Sequence, residues 1–215
     1  MKKTVAALFV QEGGVYSELP FVDQWTKDRD AMTYSGPLPV VAHPPCNKWG
    51  KMARVNFARW GGSHNLPEND GGAFEFALKA VERWGGVLEH PATSYAFSRH
   101  GITPPIQSGW QKLIFGGWIC EVRQAAYGHR ANKATWLFYS GETPPAPMRW
   151  ERTVGSHQVG RKDMKAGRQN KPHLKRRESN ATPRQFRDEL IRLALNSKPK
   201  NRHDPKDKYN QSTRI

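Results

Sequence analysis

Five short apolar runs punctuate the chain: Val5–Val10, Val40–His43, Gly86–Glu89, Trp118–Val122 and Ala134–Tyr139. They are nearly continuous in apolar character rather than alternating, which is the pattern of strands covered on both faces, as in a parallel α/β sheet. Between the second and third runs lies DGGAFEFALKAVERWGG, where Phe74, Ala77, Leu78, Val81 and Trp84 recur at helical spacing. Asp70 is placed to cap the start of that helix and Gly85 its end. Strand, helix and strand then form a βαβ unit with a right-handed crossover. The last two runs are separated by RQAAYGHRANK, too short for a crossover helix, so they should pair antiparallel at one edge of the sheet. The expected fold class is α/β: a Rossmann-like mixed sheet of mostly parallel strands with an antiparallel edge pair and helices on both faces.

Past Pro144 the pattern changes to a proline-rich exit, PPAPMRW, and then to a basic stretch poor in apolar residues. One more helix is predicted in ATPRQFRDELIRLAL, with Thr182 as N-cap, Pro183 at the first helical position and Gln185 completing a capping box. Its stripe of Phe186, Leu190 and Leu193 should dock on the core. The expected organisation is one domain over residues 1–195, with a polar basic insertion at about 151–180, followed by a basic, disordered tail over 196–215.

Charge sharpens this picture. Of the formal net charge of +15, residues 151–215 carry +11. Such an excess suits a polyanion, and nucleic acid is favoured over an anionic membrane surface because each neutralised phosphate releases counterions. The two cysteines, Cys46 and Cys120, can build neither a four-thiolate zinc site nor a disulfide framework. The apolar run behind Lys2 and Lys3 is too short for an export segment, and no stretch approaches the about 20 apolar residues of a membrane span. A soluble, cytoplasmic protein is expected.

Ligands of open α/β sheets bind at the carboxyl ends of the strands. Three polar groups fall at such ends: Gln11, Glu12, Gly13 and Gly14 after the first run, Cys46 after the second, and Glu89 closing the third. Cys46 follows two prolines that would hold its thiol in one place, ready to act as a nucleophile. The same residue could instead be a small buried hydrophobe. Glu89 ends an apolar run, where a carboxylate must be paired, protonated or catalytic.

HPPC, then VLEHP, then QAAYGHRANKATWLF together resemble the catalytic core of the cytosine-5 DNA methyltransferases, in particular their compact phage-type members. The resemblance implies Cys46 as the nucleophile that adds to cytosine C6, and Glu89, with a raised pKa, as the acid at N3. It implies Arg130, or else Arg123, as the group that orients the O2 edge. It also implies S-adenosylmethionine as cofactor, at Phe9, Gly13 and Gly14 with Asp23 and Pro44. The family's glycine motif carries an acid and a further glycine where this chain has Ala7 and Gln11, and Glu89 is followed by His90 where the family has asparagine. DNA is the implied partner, its base flipped out and its flanking phosphates held by basic residues. Lys48, Trp49, Gln124, Lys133, Lys175, Arg176 and Arg177 are the expected nucleic-acid contacts, with Trp49 able to stack on a base.

The remaining tryptophans, Trp60, Trp84, Trp110, Trp118, Trp136 and Trp150, read as core or core-edge residues. The spacing of His43, His90, His129 and Cys46 matches no zinc pattern, so no metal is expected.

Overall fold

The computed structural model describes residues 1–159 and 171–197. The tail from residue 198 onward, expected to be disordered, and residues 160–170 of the basic insertion lie outside the described residues.

All five apolar runs are strands: β1 (Val5–Leu8), β3 (Val40–Ala42), β4 (Gly86–Pro91), β6 (Trp118–Arg123) and β7 (Ala134–Ser140). Two strands without a continuous apolar run join them, β2 (Val22–Trp25) and β5 (Gln111–Lys112). The order across the seven-stranded sheet is β2-β1-β3-β4-β7-β6-β5. β2, β1, β3 and β4 run parallel, whereas β7 pairs antiparallel with β4, β6 with β7 and β5 with β6. The fold is therefore an α/β, Rossmann-like mixed sheet. The expected β6–β7 pair forms, but it is not itself the edge: β7 lies inside the sheet, and the short polar β5 takes the outer position.

Alternation along the parallel strands sends successive side chains to opposite faces, and each face has its own core. Ala6, Leu8, Val40, Ala42 and Leu88 pack with Phe74, Ala77, Leu78 and Val81 of α2 (Ala73–Trp84). Val5, Ala7, Val41 and Val87 pack with Phe186, Leu190, Ile191 and Leu193 of the C-terminal helix. This two-sided burial explains why the strands read as unbroken apolar runs. Asp70 caps α2 as expected, its carboxylate accepting from the backbone N–H groups of Gly72 and Phe74 at 2.9 Å each.

Two other helices have weak apolar patterns. α1 (Lys51–Trp60) buries only Ala53, and α3 (Tyr95–Arg99) is barely more than one turn. Trp60, expected at the core edge, is 68% exposed on α1. After α4 (Arg176–Asn180), α5 runs from Arg184 to Asn196 and is preceded by Pro183 at the cap position. Thr182 is thus not the cap, and Gln185 closes no capping box; its side-chain oxygen accepts from Arg149 Nη1 at 3.2 Å. The apolar stripe nevertheless docks as expected, and Arg187 fastens the helix by donating to the Val15 carbonyl and pairing with Glu18.

Gly86 opens β4 at φ 126°, and a Cβ there would overlap the Val40 carbonyl oxygen on β3. Only glycine satisfies both the dihedral and the close approach. Gly86→Ala is expected to destabilise the fold by about 3 kcal/mol or more, measured as a lowered urea midpoint with an unchanged slope.

Candidate active site

The sheet order brings the carboxyl ends of β1, β3 and β4 side by side. A cavity of about 530 Å³ opens there, within the size range of small-molecule sites. Its wall includes Tyr16 and Gln11 from the segment after β1, His43 and Cys46 from the segment after β3, Glu89 from β4 and Lys133 from the turn before β7. Arg176, Arg177 and Thr182, on and just after α4, complete the lining.

The thiol corner is held from both ends. Its first residue, His43, continues the ladder by donating its backbone N–H to the Leu8 carbonyl at 3.0 Å. The turn ends at Trp49, whose N–H bonds the Cys46 carbonyl at 3.1 Å. The indole Nε1 of Trp49 donates to Asp70 Oδ2 at 2.8 Å, the same oxygen that caps α2. Trp49 is therefore a buried anchor, 3% exposed, and not the base-stacking surface expected of it. Pro44 is buried in the wall, and Cys46 itself is exposed toward the cavity.

Glu89 is 8% exposed, and its carboxylate is satisfied on both oxygens. His43 Nδ1 lies 3.0 Å from Oε2, and Gln124 Nε2 donates to Oε1 at 3.1 Å. Gln124, itself buried at 1% exposure, also donates to Thr135 Oγ1 at 2.8 Å. Rather than touching nucleic acid, as expected from the sequence, Gln124 positions the carboxylate. On the far side of the imidazole, His43 Nε2 sits 2.7 Å from the Tyr16 hydroxyl. A continuous chain results: Tyr16, His43, Glu89, Gln124.

These contacts set the charges. Burial pushes the Glu89 carboxyl up, but the His43 hydrogen bond, followed by the charges of Lys133, His43 and His90, overcomes it and brings the pKa down to about 2. Glu89 is thus a carboxylate, not the acid with a raised pKa that the sequence suggested. Burial, then the Glu89 charge, holds the Tyr16 phenol well above its ordinary value. The Cys46 thiol is raised as well, first by removal from water and then by Glu89, with Lys133 and Arg176 opposing. An ionised Glu89 makes His43 Nδ1 a donor, so in the neutral ring Nε2 accepts from the Tyr16 hydroxyl.

Other expected residues lie elsewhere. Arg130 is not on the cavity wall: its guanidinium bonds Glu178 Oε1 at 2.7 Å and His157 Nε2 at 2.6 Å, which ties α4 to the β6–β7 connection. Arg123, the other candidate, pairs with Glu121 at 2.7 Å on its own strand. Lys48 donates to the His64 carbonyl. Lys133, Arg176 and Arg177 do line the cavity, whereas Lys175 is outside it. Strand alternation turns His90 away from Glu89 to the α2 face, where it packs edge-on against Phe74 and Phe97 near the Pro45 backbone. Among the described residues no three His, Cys, Asp or Glu side chains converge as metal ligands, and no helix is long and apolar enough to cross a membrane.

The residues expected to hold S-adenosylmethionine are only partly gathered. Phe9 and Pro44 line the cavity, but Gly13, Gly14 and Asp23 do not. The Asp23 carboxylate is occupied by Arg29 Nη1 at 2.5 Å and Trp25 Nε1 at 2.9 Å. The link from β1 to β2 contains a single 3-10 turn, Val15–Glu18, and so presents no α-helix N-terminus to a ligand. This donor set does not fit that cofactor.

No protein-family model matches the chain, and no curated protein matches it significantly.

Two buried groups give the fold a specific acid response. His90 is held down to about 4, chiefly by burial, so below its ordinary value of 6.5 the unfolded chain binds a proton the folded chain refuses. Glu89 does the same from its ordinary 4.5 down to about 2. Stability should therefore fall as the pH drops below about 6.5 and fall further below about 4.5. Urea titrations across that range are expected to show the upper limb reduced in His90→Leu, with His129 supplying part of what remains, and the lower limb reduced in Glu89→Gln, with Glu18 and Glu75 supplying the rest.

Proposed function

We propose that the chain is a nucleic-acid base-modifying enzyme that activates cytosine C5 through addition of the Cys46 thiolate at C6. The observation that carries this reading is the convergence of Cys46 and Glu89 on one cavity wall, with the carboxylate pinned by His43 and Gln124. Cytosine C5 is a poor nucleophile until a sulfur adds at C6 and converts the ring to an enamine. Once the adduct carries a proton on N3, the Glu89 carboxylate would accept from N3–H and from the exocyclic amine. Lys133, Arg176 and Arg177 supply positive charge along the cavity lining, suited to the phosphates flanking a flipped nucleotide.

Methyl transfer from adenosylmethionine is the reaction implied by the sequence resemblance. The cofactor donor set is not assembled at β1 and β2, so the residues of this chain account for the chemistry only as far as the activated C5. Addition at C6 lets C5 exchange its hydrogen with water whatever electrophile follows, so the test needs no cofactor. DNA carrying [5-³H]cytosine is incubated with the protein, and tritium released to water is counted. Release is expected, reduced at least about a thousandfold in Cys46→Ala and about a hundredfold or more in Glu89→Gln. No release by the unsubstituted protein, with DNA bound equally by it and by Cys46→Ala, would instead assign the chain to a methyltransferase-like DNA-binding protein without this chemistry.

A further inference from the structure

We infer that His43 is a positioning residue of this site, which together with Glu89 holds the proton that Cys46 gives up and returns it to the base, with Tyr16 keeping the imidazole in place. The inference rests on the thiol-addition reading above and adds to it a proton path that Cys46 and Glu89 alone do not provide.

The site at rest does not favour a thiolate, because the cavity wall strips water from the Cys46 sulfur and the neighbouring Glu89 is charged. A proton acceptor is therefore needed as sulfur attacks. Glu89 alone is a weak base, being stabilised as a carboxylate by the donors on both its oxygens. The His43 ring, with Nδ1 at 3.0 Å from that carboxylate, changes this: the pair can take up one proton as imidazolium and carboxylate. Tyr16 accommodates both states. Its hydroxyl, 2.7 Å from Nε2, donates to the neutral ring and accepts from the charged one.

The charged and titratable groups around the ring come from every adjoining element. Tyr16 faces it from the 3-10 turn, Glu89 from β4 and Lys133 from the turn before β7. Cys46 and Arg176 share the cavity wall, His90 lies behind β4, and Arg187 and Asp188 of α5 act on Tyr16. Of those on the wall, His43 is the one that bonds both Glu89 and Tyr16.

The step balances without a co-reactant. The S–H bond of Cys46 breaks, and its proton goes to the Glu89–His43 pair. The sulfur electron pair forms the S–C6 bond, the C5=C6 π pair becomes C4=C5, and the C4=N3 π pair moves to N3. N3 takes the proton back from the pair through Glu89. Reversal after hydrogen exchange at C5 restores the thiol and the base.

Two measurements on the full chain test this. The first is the rate of iodoacetamide alkylation of Cys46 from about pH 5 to about pH 10, read by mass spectrometry of the Cys46 peptide without substrate. The second is tritium release from [5-³H]cytosine DNA over the same range. His43→Gln keeps an amide donor for Glu89 and loses the titration; Tyr16→Phe keeps the ring and loses its anchor. The unsubstituted protein should show an alkylation limb at lower pH than the thiol's own. That limb should vanish in His43→Gln, leaving only the thiol limb at high pH. Tritium release should fall about 10-fold to 100-fold in His43→Gln, with loss of its lower inflection, and less in Tyr16→Phe. Superimposable alkylation profiles for the unsubstituted protein and His43→Gln overturn the inference, whether or not tritium is released. Absence of release from the unsubstituted protein overturns the thiol-addition reading instead, and the alkylation comparison still decides the role of His43. If His43→Gln does not fold, an unchanged alkylation profile in Tyr16→Phe overturns it.

Discussion

A carboxylate buried at the end of a central strand must be compensated, and the arrangement around Glu89 follows from that requirement. Both of its oxygens are met by side chains brought in from other strands: His43 from the end of β3 and Gln124 from the turn between β6 and β7. Each partner is in turn held, His43 by Tyr16 and Gln124 by Thr135. The sheet order makes this possible, because β4 lies between β3 and β7 and so places an acid from the middle strand within reach of donors on both sides. Removing any one member would leave a buried polar group unmatched, which ties the site to the integrity of the sheet.

The same compensation shapes the cavity wall. Ionised Glu89 feels the charge of Lys133, and Arg176 and Arg177 join the same lining from α4. That segment is tied down by Arg130, whose pairing with Glu178 fastens α4 to the rest of the molecule. A residue expected to touch the base thus serves to hold the cations that face it. On the other side of the cavity, Arg187 binds Glu18 and the Val15 carbonyl, so the C-terminal helix fixes the 3-10 turn that presents Tyr16. Both closures join residues far apart in sequence, and the second depends on α5 burying Phe186, Leu190 and Leu193 against the sheet.

Much of the fold is legible in the order of residues. Strands buried on both faces carry mostly apolar side chains, so β1, β3, β4, β6 and β7 stand out as apolar runs. The helices that pack on the sheet, α2 and α5, carry their apolar stripes openly. The elements without such a signal are peripheral: β2 and β5 are edge strands with polar residues, and α1 buries one alanine. Of the cavity wall, Cys46, Glu89, Lys133, Arg176 and Arg177 are all suggested by the sequence as members of one site, and the fold gathers them. Tyr16 is not, because no local pattern distinguishes a tyrosine that bonds a histidine 27 positions away. His43 stands out in the sequence only as a possible metal ligand, although its place at a strand end beside the thiol corner is a signal carried by HPPC itself.

The sequence by itself determined the element types of the buried strands, the capping of α2 by Asp70 and the placing of thiol and carboxylate at strand ends, because these follow from local periodicity and backbone chemistry. Tertiary structure alone decided the sheet order, the side of β4 on which His90 is buried, the ionisation of Glu89 and the removal of Trp49, Gln124 and Arg130 from direct contact roles. These depend on which groups meet across the sheet. A carboxyl's pKa is set by its neighbours in space, and a tryptophan or an arginine is free or committed according to the hydrogen-bond partner that folding brings to it.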